Sequence, residues 1–285
     1  MDSERLTKPS DHRQTVYMKR SFLLFFLLFG CGAEEGSLGI AEESVSTRPV
    51  ELVYVTASTE VAYGSSTAQG SMSGFIEVEN IAYHKEVVVH YNESGGPDWH
   101  TVGATYVGPS SGNREVWRFE TPDYPHPPRL ATDFRFAIRY TVAGQTFWDN
   151  NVGRDYRIGI GPRPVYPRVA LPGASVDLIQ AEAAGGQLVA DIAVKNIAYN
   201  KKVQVVYTVD DWATYKVQSA GYRTSSWGCL DYQDAQVLEQ WRLTTPIPGG
   251  AQRVKMAISY TVNGVTHWDN NQKADYTVDV PGITY

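Results

Sequence analysis

Met256-Ala257-Ile258-Ser259-Tyr260-Thr261-Val262-Asn263-Gly264-Val265-Thr266-His267-Trp268-Asp269-Asn270-Asn271 decides the fold of this 285-residue chain. Met256, Ile258, Tyr260 and Val262 alternate with Ala257, Ser259 and Thr261, the period of two that marks a strand with one buried face. Asn263-Gly264 is the strongest short hairpin signal, because both central residues of a type I′ turn need positive φ. A two-residue loop pairs Val262 with Val265, Tyr260 with His267 and Ser259 with Trp268. Cross-strand partners share a face. Trp268 is therefore predicted on the outer face with Ser259 and Thr261, while the aliphatic set points inward. The earlier hairpin at Ala143-Gly144 reads the same way, with Trp148 opposite Arg139 and Phe147 opposite inward Tyr140. Two indoles on solvent-facing surfaces are unusual without a ligand.

Working outward, the chain repeats itself. Asn80-Ile81-Ala82-Tyr83 returns as Asn196-Ile197-Ala198-Tyr199, and Trp148-Asp149-Asn150-Asn151 returns as Trp268-Asp269-Asn270-Asn271. The offset of about 120 residues is domain-sized and too long for a solenoid or propeller repeat. Val87, Val89 and Tyr91 keep strand period and recur as Val203, Val205 and Tyr207. Short alternating strands, turn signals and the absence of a long helical pattern predict an all-β chain, an antiparallel sandwich or barrel in each copy. The expected layout is a leader over 1–31, a small, acidic tether over 32–49, domains over 50–160 and 169–280, and a Pro-rich spacer over 161–168. The spacer's prolines favour an extended, semi-rigid segment. A spacer that lets both domains reach one polymer chain or granule is expected to raise avidity without new contacts.

Bulk properties narrow the function. The chain is 42% hydrophobic and 12% aromatic, with 18 Tyr and 7 Trp, which suits strand-rich globular structure. A net charge of -6 lacks the basic footprint that phosphate backbones need, so nucleic acid is not expected as a partner. Met18-Lys19-Arg20 followed by the apolar run Phe22 to Phe29 reads as an export signal too short to span a bilayer. Leu28-Phe29-Gly30-Cys31 resembles the lipobox of bacterial lipoproteins, which makes Cys31 the expected lipid attachment site and Met18 the expected start. That places the chain at a bacterial cell envelope, held to the outer membrane or cell surface through its N-terminal lipid. With Cys31 acylated, Cys229 has no partner for a disulfide.

A pyranose ring presents an apolar C–H face and an edge of hydroxyls, so a sugar site needs an aromatic face flanked by amides or carboxylates. Trp148 and Trp268 are followed at once by Asp-Asn-Asn. Trp99 and Trp212 follow Asp98 and Asp211 in loops, where binding residues concentrate. These four tryptophans are the expected platform residues, whereas Trp117 and Trp241 keep strand period and read as core. Enzymatic readings are weaker. Gly108-Pro109-Ser110-Ser111-Gly112 has the spacing of a nucleophile elbow, but strand pattern resumes at Arg114 where that motif needs a helix. Glu77 and Glu79 read as a solvated strand face rather than as an acid pair across a cleft. His84, His90, His100 and His126 lack metal-ligand spacing, so no metal and no cofactor are expected.

Taken together, Asn-Ile-Ala-Tyr before a lysine, a Val-rich strand, Asp-Trp, and a closing hairpin ending in Trp-Asp-Asn-Asn resemble carbohydrate-binding module family 21. That family includes the starch-binding domain of fungal glucoamylase and the glycogen-targeting subunits of protein phosphatase. The resemblance implies two immunoglobulin-like sandwiches, non-catalytic α-glucan binding and up to two sites per domain. One site would use Trp99, Trp148 and Asn150, repeated as Trp212, Trp268 and Asn270. A second would use Tyr83, Lys85 and Tyr106, repeated as Tyr199, Lys201 and Tyr222. Ala137 and Ala257 stand where glucoamylase modules carry a further stacking tyrosine, and Asp155-Tyr156 and Asp275-Tyr276 replace the family's frequent Asn-Tyr. A scaffold that brings an enzyme to glucan is the alternative, and a partner amylase is a further expectation. The nearest string to the phosphatase-docking motif, Arg253-Val254-Lys255-Met256, lacks its phenylalanine and lies in a predicted core strand.

Overall fold

A computed structural model describes residues 48–61, 66–93, 96–126, 132–160, 168–224 and 238–281, which fall within one compact unit. The expected leader with Cys31, nearly all of the tether, spacer residues 161–167 and Cys229 lie outside the described residues.

Every regular element among them is a strand. The first copy contains β1 (Val50–Val61), β2 (Ala68–Glu79), β3 (Lys85–Glu93), β4 (His100–Gly103), β5 (Thr105–Pro109), β6 (Arg114–Glu120), β7 (Tyr124–His126), β8 (Thr132–Val142), β9 (Gln145–Asp149) and β10 (Tyr156–Ile160). The second contains β11 (Val169–Ala170), β12 (Val176–Ala184), β13 (Gln187–Lys195), β14 (Lys201–Thr208), β15 (Lys216–Ser219), β16 (Gly221–Thr224), β17 (Leu238–Pro246), β18 (Arg253–Val262), β19 (Val265–Asp269) and β20 (Tyr276–Asp279). In the first copy a sheet ordered β1-β2-β6-β5 faces one ordered β10-β8-β3-β4, with β9 beside β8. The second copy repeats this with β12-β13-β17-β16 facing β15-β14-β18-β19, and β20 pairs β18. Pairing is antiparallel throughout, so each copy is an antiparallel β-sandwich.

Period-two patterning builds the cores. On β8, Phe134, Phe136, Ile138 and Tyr140 point inward and are buried, and on β18 Val254, Met256, Ile258 and Tyr260 do the same. Both hairpins adopt the expected register, with Ser259 opposite Trp268 and Arg139 opposite Trp148. Their turn residues take positive φ, 51° and 78° at Asn263-Gly264 and 49° and 75° at Ala143-Gly144. The inward tyrosines also fix the loops that carry the Asn-Ile-Ala-Tyr repeat. Tyr140 donates its hydroxyl to Glu79 O and Tyr260 to Lys195 O, each at 2.6 Å and each one residue before the repeat begins.

The two sandwiches are not beads on a spacer. Strand β11 pairs with β1 of the first copy, and Ala57 N donates to the carbonyl of Arg168, the residue expected to end the spacer. Tyr54, Phe75 and Val116 project from the outer face of β1-β2-β6, yet they are buried in one apolar cluster with Ala193 and Leu238 from the outer face of β12-β13-β17. Gly173 permits the close crossing: a Cβ there would sit 3.1 Å from Leu52 O and 3.2 Å from Val53 Cα. The second and third sheets thus share an apolar cluster, and the loop between β19 and β20 also reaches the first copy, with Lys273 Nζ 3.4 Å from Pro109 O.

Candidate functional site

The outer face of β8 carries Arg135, Ala137 and Arg139, and across it two indoles meet their supports. Trp148 on β9 is 52% exposed, and its ring centroid lies 5.2 Å from that of His90 on β3. That contact crosses β8 at Ala137, directly opposite His90, so the small side chain lets the indole lie over the strand. A tyrosine at position 137 would occupy that space, which gives the alanine a physical role. Trp99 is exposed and rests on the Arg135 guanidinium at 5.7 Å, while Arg135 Nε donates to Asp155 Oδ2 at 2.7 Å. The carboxylate thus holds the cation under the indole. Burial of His90, with the nearby Arg139 charge, pushes its imidazole below the ordinary histidine range. Asn150 Oδ1 accepts from Gly153 N at 3.0 Å, which locks that amide in the turn after Trp148.

The second copy builds the same platform on different supports. Trp268 is 56% exposed, Ala257 lies on the β18 face between Lys255 and Ser259, and Val206 takes the place of His90. Trp212 is half-buried in a left-handed backbone conformation with φ of 68°. Its Nε1 donates directly to Asp275 Oδ2 at 2.9 Å, while Lys255 pairs with Asp211 at 2.6 Å instead of cushioning the ring. Asn270 Oδ1 accepts from Lys273 N at 3.0 Å.

Asp149 and Asp269, read from the sequence as carboxylates beside the indoles, do not face outward. Each is buried and clasps a bulge in the first strand of its module. Asp149 accepts from Leu52 N at 2.8 Å and from the Tyr156 hydroxyl, and Asp269 accepts from Leu178 N at 2.8 Å and from the Tyr276 hydroxyl. The strand registers slip at those points, between Leu52 and Tyr54 and between Leu178 and Gln180, which frees the N–H groups for the carboxylates.

A second cluster lies at the other end of each module. Tyr83 and Tyr199 are 91% and 97% exposed. Lys85 and Lys201 are not: their side chains are 4% and 2% exposed, and each ammonium sits 2.8 Å from a carboxylate, Glu115 or Glu239. Each also donates to the side-chain carbonyl of the repeat asparagine, Asn80 or Asn196. Trp117 and Trp241 complete the chain by donating Nε1 to the same glutamates at 3.2 and 3.0 Å. Tyr106 and Tyr222 then stand edge-on to these indoles, with centroids 5.9 Å apart in both copies. The lysine is therefore a positioning residue, and the asparagine, glutamate and core tryptophan are the parts that sequence reasoning left out of the cluster. The repeated Glu-x-Trp-Arg of residues 115–118 and 239–242 is the signal that would have found them.

Nothing in the described residues assembles a nucleophile elbow. Ser110 follows the end of β5, donates to Glu77 and leads into β6 rather than a helix. Glu77 is not a freely solvated carboxylate either, since Arg114 Nε holds it at 2.9 Å. No group of three or more His, Cys, Asp or Glu side chains suited to a metal ion occurs among the described residues.

Repeated sandwiches that display paired indoles define a tandem carbohydrate-binding protein. The profile of the carbohydrate/starch-binding module (family 21) matches residues 53–159 and 171–279, and the chain belongs to that family. It is 38% identical over 91 residues to protein phosphatase 1 regulatory subunit 3E of Mus musculus, covering 32% of each chain. It is 35% identical over 115 residues to glucoamylase 1 of Rhizopus oryzae, covering 38% of this chain and 18% of that enzyme. The chain thus spans a third or less of these relatives' length. Among solved structures, the starch-binding domain of Rhizopus oryzae glucoamylase in complex with β-cyclodextrin and maltoheptaose aligns at 30% identity. The alignment covers 40% of this chain and 95% of that one, with a TM-score of 0.28.

Proposed function

We propose that this chain is a non-catalytic α-glucan receptor that holds starch, glycogen or maltooligosaccharides against the Trp99/Trp148 and Trp212/Trp268 platforms. The observation that carries this reading is the repetition of half-exposed indoles on supports that hold them in place. Side chains of that size stay exposed on a folded surface at a cost that stacking against the apolar face of a pyranose removes. The clusters around Tyr83 with Tyr106 and Tyr199 with Tyr222 supply a second contact area in each module. Lys85 and Lys201 act there by engaging one side-chain oxygen of Asn80 and Asn196, which orients the amide toward sugar hydroxyls. The leader motif around Cys31 supports attachment to a bacterial envelope by lipid, where captured glucan would serve a partner amylase. The scaffold alternative draws on the phosphatase subunits among the relatives. It loses ground because Val254 and Met256, in the string nearest to a docking motif, are fully buried in β18.

Affinity electrophoresis of the chain without its first 31 residues tests the reading. Retardation is expected in amylopectin and glycogen gels, with none in cellulose derivatives, and Trp148→Ala with Trp268→Ala should remove most of it. Unretarded migration of the folded wild-type chain in both α-glucans would end the proposal.

A further inference from the structure

Backbone register matches the two modules residue by residue, and it changes which aromatic side chains correspond. Strand β4 sets Thr101 opposite His90 and His100 opposite Tyr91, while β15 sets Val217 opposite Val206 and Lys216 opposite Tyr207. Trp99, the residue before β4, therefore answers to Tyr215, the residue before β15. Seven positions separate Trp99 from Tyr106, and seven separate Tyr215 from Tyr222. The loops that lead to them close at matching places: Asn92 Nδ2 donates to Gly96 O at 2.9 Å, and Trp212 N donates to Thr208 Oγ1 at 3.1 Å. Trp212 thus stands where the first module has Gly96, as an added ring rather than the counterpart of Trp99.

Tyr215 belongs to the face that carries the second platform. Val203, Val205 and Tyr207 of β14 are buried in the core, so Val206 lies on the opposite face, and its cross-strand partners Ala257 and Val217 lie there with it. Ser259, two residues from Ala257, sets Trp268 on that face as well. Alternation along β15 carries Tyr215 to the side of Val217. Both are open to solvent, at 59% and 44%. The loop is fixed next to the ring, because Asp210 accepts from Thr214 N at 2.9 Å and from Thr214 Oγ1 at 2.7 Å. An exposed phenol beside an apolar strip, on a loop ordered before any ligand arrives, suits stacking on a sugar face at a reduced ordering cost.

We propose that Tyr215 is a third glucan-stacking residue of the second platform, which makes the modules unequal: Trp99 and Trp148 form a pair, whereas Trp212 and Trp268 are joined by a further ring. This rests on the reading of the platforms as glucan sites.

The experiment uses the chain lacking residues 1–31 in a Trp99→Ala/Trp148→Ala/Tyr83→Ala/Tyr199→Ala background, which leaves the second platform intact. Maltoheptaose affinity is read by isothermal titration calorimetry, with folding checked by near-ultraviolet circular dichroism. Adding Tyr215→Ala should weaken binding about five- to tenfold, whereas Tyr215→Phe, which keeps the aromatic face, should stay within about twofold. A second measurement needs no variant: in the unmutated chain maltoheptaose should protect Tyr215 from nitration by tetranitromethane, followed by peptide mass spectrometry. A folded alanine variant that binds as tightly as its background, or nitration of Tyr215 that maltoheptaose leaves unchanged, overturns the role of Tyr215. Loss of binding on adding Trp268→Ala to the same background would then leave the platform reading standing. A phenylalanine variant as weak as the alanine one overturns stacking. A background protein that fails to bind while the unmutated chain binds removes the second platform and this proposal, and absence of binding in the unmutated chain removes the glucan reading itself.

Discussion

Replacing Asp177 by asparagine removes a proton that the junction between the modules is built to retain. In the first module the clasp carboxylate Asp149 lies 4.0 Å from the Arg48 guanidinium, and Glu51 precedes the clasped Leu52. Aligning Leu52 with Leu178 puts Ala174 in the place of Arg48 and Asp177 in that of Glu51, so the cation is lost and a second carboxyl gained. Asp177 is 1% exposed and neither of its oxygens has a hydrogen-bond partner. Burial first, and the Asp269 charge second, push its carboxyl well above the usual carboxylate range. Asp269 is pushed up by burial too, and the Tyr54 and Tyr276 hydroxyls facing the pair are driven far above the tyrosine range. A group whose folded pKa is raised contributes stability that is fully present below its unfolded value and lost as pH rises through the folded one. Each pH unit in that window costs up to about 1.4 kcal/mol per proton. Going from pH 5 to pH 7 therefore removes up to about 3 kcal/mol, which for two packed modules lowers Tm by roughly 5–10 °C. Lys195, pushed down to about 8 by burial, acts only at higher pH, where stability rises as pH approaches the ordinary lysine value. His90, pushed down, works in the opposite sense within the window but cancels when wild type and variant are compared. Thermal unfolding of wild type and Asp177→Asn at pH 5, 6 and 7 is the assay, and the variant should show the flatter profile. Parallel profiles for the two proteins would refute the assignment of the proton to this site.

Three other outcomes follow from which side chains are buried and which are exposed. Asp149→Ala should lower stability in urea by about 2–5 kcal/mol, because it strands the buried Leu52 N–H and Tyr156 hydroxyl. Lys85→Met should lower stability by about 3 kcal/mol by leaving Glu115 unpaired, whereas Tyr83→Ala, at a 91% exposed position, should stay within about 0.5 kcal/mol of wild type.

How much of this was legible in the sequence depended on the range of each interaction. The hairpin register was readable because Asn263-Gly264 sets it within a few residues, and the outward indoles follow from counting back from the turn. The clasps were not, since the carboxylate of Asp149 finds its partner 97 residues away at Leu52, and a carboxylate beside a tryptophan looks the same whether it faces sugar or core. The burial of Lys85 was not legible for the same reason: its carboxylate partner Glu115 reaches it from another strand, 30 residues away. The shared core left a fainter trace. Tyr54-Val55 and Phe75-Ile76 place apolar side chains on both faces of one strand, a pattern that marks a sheet covered on two sides.

The two copies differ most where this context differs. The junction exchanges Arg48 for Ala174 and Glu51 for Asp177. The platforms exchange His90 for Val206 and an arginine cushion for a direct Trp212 to Asp275 bond. The first platform therefore keeps a titratable ring under Trp148, and the second has an aliphatic floor that pH does not touch.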